Sequence, residues 1–220
     1  MNQKIIQAIL HNNLELKHLL QESPELVASR MKRDQLIKSI HWLYIGDTPL
    51  HLAAAAVNLQ ATKLLLEAKA DPDAENRRRA TPLHYACDPR PALRDAWNPK
   101  QQTAIIDLLL QHGADIEHSD RGGVTALHRA VRARSPEAVH QLLKAGAKVD
   151  SRLGKQQSTP LHLAVHSTGA SGTAGARDEQ IRIIGTLLQY GADPKIPDAT
   201  GKSAYDAARN THVRTALAGS

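Results

Sequence analysis

Apolar residues recur along the chain at three- and four-residue spacing, in short stretches separated by polar turns. Ile5, Ile6 and Ile9 follow this spacing near the start, and Val139 and Leu142 repeat it much later. Such spacing places the apolar side chains on one face of an α-helix. Helices this short gain most of their stability from packing that face against a neighbour. The sequence therefore predicts short amphipathic helices that pack together.

A six-residue pattern recurs at nearly regular intervals. T-P-L-H-L-A begins at Thr48, T-P-L-H-Y-A at Thr81, T-A-L-H-R-A at Thr125 and T-P-L-H-L-A at Thr159, and a degenerate copy, S-A-Y-D-A-A, begins at Ser203. The starts are 33, 44, 34 and 44 residues apart. Thr before Pro suits a helix N-cap followed by proline at the first helical position, where no amide hydrogen bond is lost. Each copy therefore predicts the start of a helix, called helix A below.

A second landmark follows each of the first four copies. L-L-x-x-G-A begins at Leu109, Leu142 and Leu187, and a related copy at Leu65 has Lys69 in place of the glycine. Glycine in a left-handed conformation commonly closes the end of a helix. The landmark therefore predicts the end of a second helix in each repeat, called helix B below.

These two landmarks resemble the ankyrin repeat, whose T-P-L-H-x-A motif recurs every 33 residues. The resemblance is strong over residues 45–209 and weak at both ends. It implies two antiparallel helices per repeat, then a finger that reaches toward the next repeat. We therefore expect an all-α ankyrin-repeat solenoid of about six units, forming one domain over residues 1–220. The expected units are an N-terminal cap at 1–47, repeats at 48–80, 81–124, 125–158 and 159–202, and a C-terminal cap at 203–220. The cap helices are expected at 3–11, 14–22, 204–209 and 212–218.

Two repeats carry about 11 extra residues between helix A and helix B. The first insertion, around 88–100, holds three prolines and Trp97. An ordered loop is predicted there, because proline reduces the freedom of the unfolded chain. The second, 167–175, is rich in Gly, Ser and Thr and is predicted to be mobile.

The first finger is also extended, between Val27 and Thr48. Apolar residues at helical spacing predict a short basic helix over Met31–Tyr44 that lies over the first finger. We interpret it as a packed insertion that protects the end of the stack. The alternatives are a helix that binds a partner or lies on a membrane surface.

Composition narrows the class of protein. Apolar residues make up 41% of the 220 residues, charged residues 23% and aromatics 3%, which fits a globular chain with a thin core of Ala and Leu. The single cysteine, Cys87, excludes an internal disulfide, fits a reducing compartment and is expected to be buried and inert. No signal peptide or membrane-spanning stretch is evident, so we predict a cytoplasmic location. The net charge of +6 favours acidic partners.

Arg and Lys occupy six of the positions at which ankyrin-like proteins usually bind partners, the fingertips and the outer face of helix A. Carried over by resemblance, these positions predict a basic concave face, and Arg suits bidentate binding of carboxylates. We therefore hypothesise an acidic protein segment as partner; the alternative is a solvated charged surface. With the first inserted loop, the predicted partner-binding residues are Tyr44, Arg77, Arg78, Tyr85, Arg94, Trp97, Arg121, Arg129, Arg132 and Lys155.

Trp97 is the strongest single candidate for a binding anchor, since Trp is enriched in hot spots. The alternative is that Trp97 folds back and holds its own loop. The histidines suggest no metal site: the resemblance implies that His51, His84, His128 and His162 hold turns by hydrogen bonding, and the others lack metal-ligand spacing. No catalytic motif is recognisable, so we expect no metal, no cofactor and no enzymatic activity.

The sequence therefore favours a non-catalytic scaffold that binds another protein through the basic face and the inserted loop. Binding of nucleic acid or another polyanion is the alternative, although few aromatics are available to stack on bases. An enzyme with a pocket formed by the loop insertions is a remote third possibility. We expect a monomer, because both ends have the character of caps, and no membrane partner.

Overall fold

The computed structural model describes residues 1–37, 41–88, 98–166, 174–208 and 211–218. The chain forms two compact units, Met1–Asp115 and Ile116–Ser220. Each unit consists mainly of short helices in antiparallel pairs, as the repeat pattern predicts.

The first unit contains six helices and one pair of strands within its described residues. The helices are α1 (Gln3–His11), α2 (Asn13–Glu22), α3 (Pro49–Ala55), α4 (Leu59–Glu67), α5 (Pro82–Cys87) and α6 (Pro99–Gln111). A short 3₁₀ helix, Pro24–Ala28, follows α2. The strands β1 (Gln35–Ile37) and β2 (His41–Leu43) form an antiparallel pair before α3.

The second unit continues the same alternation. Its helices within the described residues are α7 (Ala126–Arg132), α8 (Pro136–Lys144), α9 (Pro160–Val165), α10 (Ala174–Gln189), α11 (Ala204–Ala207) and α12 (Thr211–Ala218). The terminal pairs, α1 with α2 and α11 with α12, lie where the sequence predicts the cap helices.

Each helix A begins at the threonine of the six-residue motif, as predicted. The histidine three residues later turns its ring back, so that its Nδ1 accepts a hydrogen bond from the threonine amide. The other ring nitrogen, Nε2, lies 3.0 Å from the carbonyl of Ala80 in the case of His51, and 3.0 Å from that of Lys202 in the case of His162. The motif histidines therefore hold turns by hydrogen bonding, as the resemblance implies.

The core is thin and built from small and aliphatic side chains. Every residue of α3 is buried, and α3 packs against α4 within its repeat and against α5 of the next. In the second unit α7 packs in the same way against α8 and α9. Alanine at these contacts lets the helices approach closely, which explains how a chain with few aromatics fills its interior. Cys87 is buried, as predicted.

The two insertions lengthen helix B at its start. Helix α6 has 13 residues and α10 has 16, against nine in both α4 and α8, while all four end at the same point of the repeat. The remaining inserted residues, 89–97 and 167–173, lie outside the described residues. The ordered and mobile states predicted for them stay predictions.

The helix predicted for Met31–Tyr44 is wrong. The segment contains a short hairpin in which Gln35 pairs with Leu43 and Ile37 with His41. Its ends are joined by backbone hydrogen bonds: the Met31 amide donates to the Asp47 carbonyl at 2.8 Å, and the Gly46 amide to the Met31 carbonyl at 2.9 Å. A helix would separate these ends by 1.5 Å for every residue, so it could not close the segment.

Candidate protein-binding surfaces

Tyr44, Arg77 and Arg78 come together in the first unit, on two adjacent fingers. The guanidinium carbon of Arg78 lies 4.2 Å from the centre of the Tyr44 ring, and that of Arg77 lies 5.7 Å from it. Both arginines are exposed and Tyr44 is half-buried. We call these three residues the Tyr44 cluster. Cations stacked on an aromatic ring form a cation–π contact and present a flat, positively charged surface.

The Tyr44 cluster rests on a rigid backbone frame. The Arg77 amide donates to the Ile45 carbonyl at 2.8 Å, and the Ile45 amide donates to Asp34 Oδ1 at 2.9 Å. Asp34 also forms an ion pair with Arg77. The fingers approach so closely that a Cβ on Gly46, whose φ is +91°, would lie 3.0 Å from Asn76 Cα. The geometry of the cluster is therefore fixed before any partner arrives.

Tyr85 does not lie at the surface with the other predicted binding residues. Its side chain is 1% exposed, and its hydroxyl donates to Asp47 Oδ2 at 2.9 Å. Asp47 is itself fully buried. The prediction that Tyr85 offers an exposed contact is corrected, because the buried carboxylate of Asp47 draws the tyrosine inward.

The buried Asp47 carboxylate is held by three donors. Besides Tyr85, the Asn76 side-chain amide donates to Oδ1 at 2.8 Å, and the Tyr44 amide donates to Oδ2 at 2.6 Å. A buried charge is tolerated when hydrogen bonds satisfy it in this way. This network joins the backbone of Tyr44 to the interior and so supports the Tyr44 cluster from below.

Arg129 in the second unit is largely neutralised. Its side chain is only 11% exposed and pairs with Asp120 at 3.0 Å. Burial acts to raise the pKa of Asp120, but hydrogen bonds from the Gly122 amide, the Arg129 guanidinium and the Val124 amide together lower it below its usual value. Arg129 therefore holds its own finger rather than presenting a charge to solvent.

The other predicted cations of the second unit, Arg121, Arg132 and Lys155, are exposed. Arg121 and Lys155 lie on fingers, whereas Arg132 ends helix α7. Arg94 and Trp97 fall outside the described residues, so the Trp97 anchor stays a prediction.

Sequence reasoning missed two residues that organise these surfaces. Asp34 lies in the segment mistaken for a helix, and nothing in the local sequence pairs it with Arg77. Asp120 occupies a finger position beside Arg121, where its ion pair with Arg129 depends on the folded finger. Both pairings join residues that only the tertiary structure brings together.

Neither a cluster of metal ligands nor a membrane-spanning helix occurs among the described residues. No group of three or more His, Cys, Asp or Glu among them could hold a metal ion. No helix within the described ranges is long and apolar enough to cross a membrane. The feature that stands out is a set of exposed cationic side chains, some of them on the hydrogen-bonded fingers that hold the Tyr44 cluster.

Comparison with known proteins identifies sequences and structures similar to this chain. A family model of ankyrin repeats (three copies) matches residues 5–94 and 93–198. The mouse B-cell lymphoma 3 protein homolog is 32% identical over 164 residues, which is 74% of this chain and 33% of that protein. The human ankyrin repeat and SOCS box protein 16 is 36% identical over 173 residues, again 74% and 33% of the two chains. The chicken nuclear factor NF-kappa-B p105 subunit is 29% identical over 210 residues, or 94% of this chain and 18% of that protein.

The chain therefore spans a third or less of the length of these curated relatives. Among solved structures, an ankyrin repeat domain from Acinetobacter baumannii AYE superposes with a TM-score of 0.73 at 25% identity, covering 98% of this chain and 96% of the other. Sequence motif, helix pairing and family model agree over most of the residues. The chain belongs to the ankyrin repeat family.

Proposed function

We propose that this chain is a non-catalytic protein-interaction module that binds an acidic segment of another protein. Ankyrin repeats are generally protein–protein interaction modules, and this general role applies to the chain. The observation that supports the finer proposal is the Tyr44 cluster, in which Arg78 lies 4.2 Å above the Tyr44 ring. Tyr and Arg dominate binding hot spots, and a preorganised site loses little entropy on binding.

The charge of the exposed side chains supports an acidic partner. Arg78 in the first unit and Arg121, Arg132 and Lys155 in the second are exposed, and the whole chain carries a net charge of +6. Ile45, beside the cluster, is 40% exposed. A segment with carboxylates next to an apolar side chain would therefore complement the first unit. Its carboxylates would face the guanidinium groups, and its apolar side chain would cover Ile45.

Affinity capture with a charge-reversal variant tests the proposal. Arg78→Glu with Arg132→Glu removes one exposed cation from each unit, and both residues project from the surface, so we expect the fold to persist. Lys17→Glu with Lys63→Glu is the matched control, because it makes the same charge change on the exposed faces of α2 and α4. We expect the first variant to bind the captured partner about tenfold or more weakly and the control to bind it as the wild type does.

Circular dichroism and thermal unfolding first establish that both variants fold. Equal capture of the partner by the wild type and both variants would show that the basic surface is only solvated and takes no part in binding. That result would contradict the proposal. Loss of capture by both variants would show that net charge alone matters, which is the behaviour of the alternative, polyanion binding. Monomeric state and cytoplasmic location belong to the same proposal. Light scattering after gel filtration tests the former, and imaging of the tagged chain in cells tests the latter.

A further inference from the structure

Three consecutive arginines lie on the finger before α5, and their guanidinium groups are engaged differently. Arg77 forms an ion pair with Asp34. Arg79 Nε lies 3.2 Å from Glu75 Oε2. The guanidinium of Arg78 forms neither a hydrogen bond nor an ion pair with the described residues, although its side chain is exposed. Of the three charges on this finger, that of Arg78 is therefore the one left for a partner.

The ring of Tyr44 restricts the Arg78 guanidinium. The guanidinium carbon lies 4.2 Å from the ring centre. Arginine stacks on aromatic rings through the face of its guanidinium, whereas its five N–H groups lie around the edge. Such a contact leaves the edge for hydrogen bonds. It also restricts a long side chain before a partner arrives, so that less rotamer freedom is lost on binding.

The backbones of Tyr44 and Arg78 are both anchored to a buried pair, Asp47 and Asn76. The Tyr44 amide donates to Asp47 Oδ2 at 2.6 Å, and the Asn76 side-chain amide donates to Asp47 Oδ1 at 2.8 Å. The side-chain carbonyl of Asn76 accepts from the Arg78 amide at 2.8 Å and from the Ala80 amide at 3.1 Å. Asp47 is 0% and Asn76 5% exposed, so these bonds are shielded from water. The interior therefore fixes the two stacked residues relative to each other.

We propose that Arg78 is the residue that selects a carboxylate in the partner and that Tyr44 is its positioning residue. The carboxylate of one glutamate or aspartate would accept two parallel hydrogen bonds from the edge of the guanidinium, a geometry that lysine cannot supply. Ile45, which is 40% exposed beside the cluster, would contact an apolar neighbour of that acidic residue. The inference rests on the proposed function and names the residue that recognises the acidic segment.

NMR spectra of the whole chain test this recognition with a defined probe, the peptide acetyl-Glu-Leu-Glu-Leu-Glu-amide. The Nε–H signal of Arg78, identified by its absence in Arg78→Lys, reports directly on hydrogen bonding to the guanidinium. We expect this signal to shift and to saturate with a Kd of about 0.1–1 mM, as suits a few contacts. The same peptide with glutamine in place of glutamate should produce no saturable shift. Equal shifts from both peptides, or no saturable shift from either, would overturn the proposal.

A charge-conserving pair of variants separates recognition by Arg78 from attraction to net charge. Arg78→Lys keeps the charge but loses the paired hydrogen bonds, so we expect it to bind the glutamate peptide about fivefold more weakly. Arg79→Lys makes the same change at the next residue, whose guanidinium is paired with Glu75, and should leave the Kd within about twofold of the wild type. If both variants weaken binding equally, or neither does, only the charge of the finger matters and the proposal fails.

Two variants test the positioning role of Tyr44. Tyr44→Leu removes the aromatic face, so we expect about threefold weaker binding of the glutamate peptide, whereas Tyr44→Phe retains the ring and most of the affinity. The ring current of Tyr44 shifts the Cδ proton signals of Arg78 upfield, and this shift should vanish in Tyr44→Leu and persist in Tyr44→Phe. Full affinity in a folded Tyr44→Leu, or a loss of affinity in Tyr44→Phe equal to that in Tyr44→Leu, would contradict the positioning role.

The inference and the proposed function can fail separately. If Arg78→Glu with Arg132→Glu loses a captured partner while Arg78→Lys binds the glutamate peptide as well as Arg79→Lys does, the selecting role of Arg78 falls and the proposed function stands. If the peptide shifts the Arg78 signal as expected but no protein is captured, the carboxylate site stands and its assignment to a protein partner falls.

Discussion

Val57 has a backbone conformation that β-branched residues rarely adopt. It lies in the turn between α3 and α4 with φ of 54°, and Arg134 occupies the corresponding turn between α7 and α8 with φ of 56°. A left-handed conformation costs an ordinary residue about 1–2 kcal/mol, and glycine avoids this cost. The turn therefore stores strain that a different residue would release.

We predict that Val57→Gly stabilises the chain by about 1 kcal/mol, because relief of strain exceeds the entropy that glycine adds to the unfolded state. The free energy of unfolding in urea measures the effect. Val149 is also half-buried but does not have a positive φ, so Val149→Gly should destabilise the chain. Destabilisation by Val57→Gly would show that packing of the valine side chain outweighs the backbone strain.

His128 makes folding depend on pH. The pKa of His128 is lowered from 6.5 to about 4, mainly by burial and to a smaller extent by nearby Arg132, while the backbone carbonyls of Ser158 and Ser151 and the Asp120 carboxylate partly oppose the shift. The folded state therefore resists protonation that the unfolded state accepts below pH 6.5. The stability that His128 contributes is complete above about pH 6.5 and is lost as the pH falls toward 4.

We predict that lowering the pH from 7.5 to 5.5 decreases the free energy of unfolding by about 1.4 kcal/mol through protonation of His128 in the unfolded state alone. Urea unfolding at both pH values measures the total change, and the same pair of measurements on His128→Asn removes this contribution. The variant should be less stable at pH 7.5 but should lose less stability on acidification. Equal losses in the two proteins would mean that His128 is protonated in the folded state.

Single residues show where prediction from sequence ends. The roles of the motif histidines followed from local spacing, because Thr48 and His51 lie within one helical turn. The burial of Tyr85 did not, because it depends on Asp47, 38 residues away along the chain. A tyrosine beside a motif histidine is compatible with either a buried or an exposed position, and only the tertiary contact decides.

At the scale of elements, the repeats differ in which group donates a hydrogen bond to the carbonyl near the end of helix A. In the two repeats with insertions, a glutamine side chain takes the place of a backbone amide as this donor. In the shorter repeats the amides of Asn58 and Ser135, the N-caps of helix B, donate to the carbonyls of Ala53 and Ala130. In the longer repeats helix B already extends through this position. Side-chain amides at the corresponding residues donate instead: Gln102 to the Ala86 carbonyl at 2.9 Å and Gln180 to the Ala164 carbonyl at 2.7 Å.

We predict that Gln102→Leu destabilises the first unit by about 1–3 kcal/mol, because the Ala86 carbonyl at the end of α5 loses its buried donor. Gln102 is 1% exposed, so water cannot readily replace the donor. Gln101→Leu changes the exposed neighbour on the same helix and should alter the free energy of unfolding by less than about 0.5 kcal/mol. Urea unfolding compares the two, and equal effects would show that this hydrogen bond adds no stability.

Elements also differ in how well the sequence predicts them. The helices were predictable because their caps and their spacing are local features. The hairpin at β1 and β2 was not, because its apolar residues also fit a helical spacing. The deciding factor is the closure of the segment by the hydrogen bonds of Met31 with Gly46 and Asp47, which follow it by 15 and 16 residues.

At the scale of the whole molecule, the internal repeats made the fold predictable from the sequence. Each repeat contacts mainly its neighbours, so a pattern that specifies one repeat specifies most of the chain. The binding surfaces are harder to predict, because whether an arginine offers a free charge depends on ion pairs such as those of Arg129 with Asp120 and Arg77 with Asp34. Charge counts from sequence therefore overstated the number of available cations.

The salt dependence of binding follows from the remaining exposed charge. The net charge of +6 should steer an acidic partner toward the chain, and salt screens this attraction over a Debye length of about 8–10 Å. Short contacts within the Tyr44 cluster are screened much less.

We predict that raising salt from about 50 to about 300 mM slows association with the captured partner about tenfold and changes dissociation much less. Surface plasmon resonance measures both rates. A duplex DNA of mixed sequence provides the opposing case, since counterion release would make its affinity fall as a steep power of salt concentration. If the protein partner dissociates faster with salt while associating at the same rate, screened surface contacts hold the complex, and the preorganised Tyr44 cluster is not its main support.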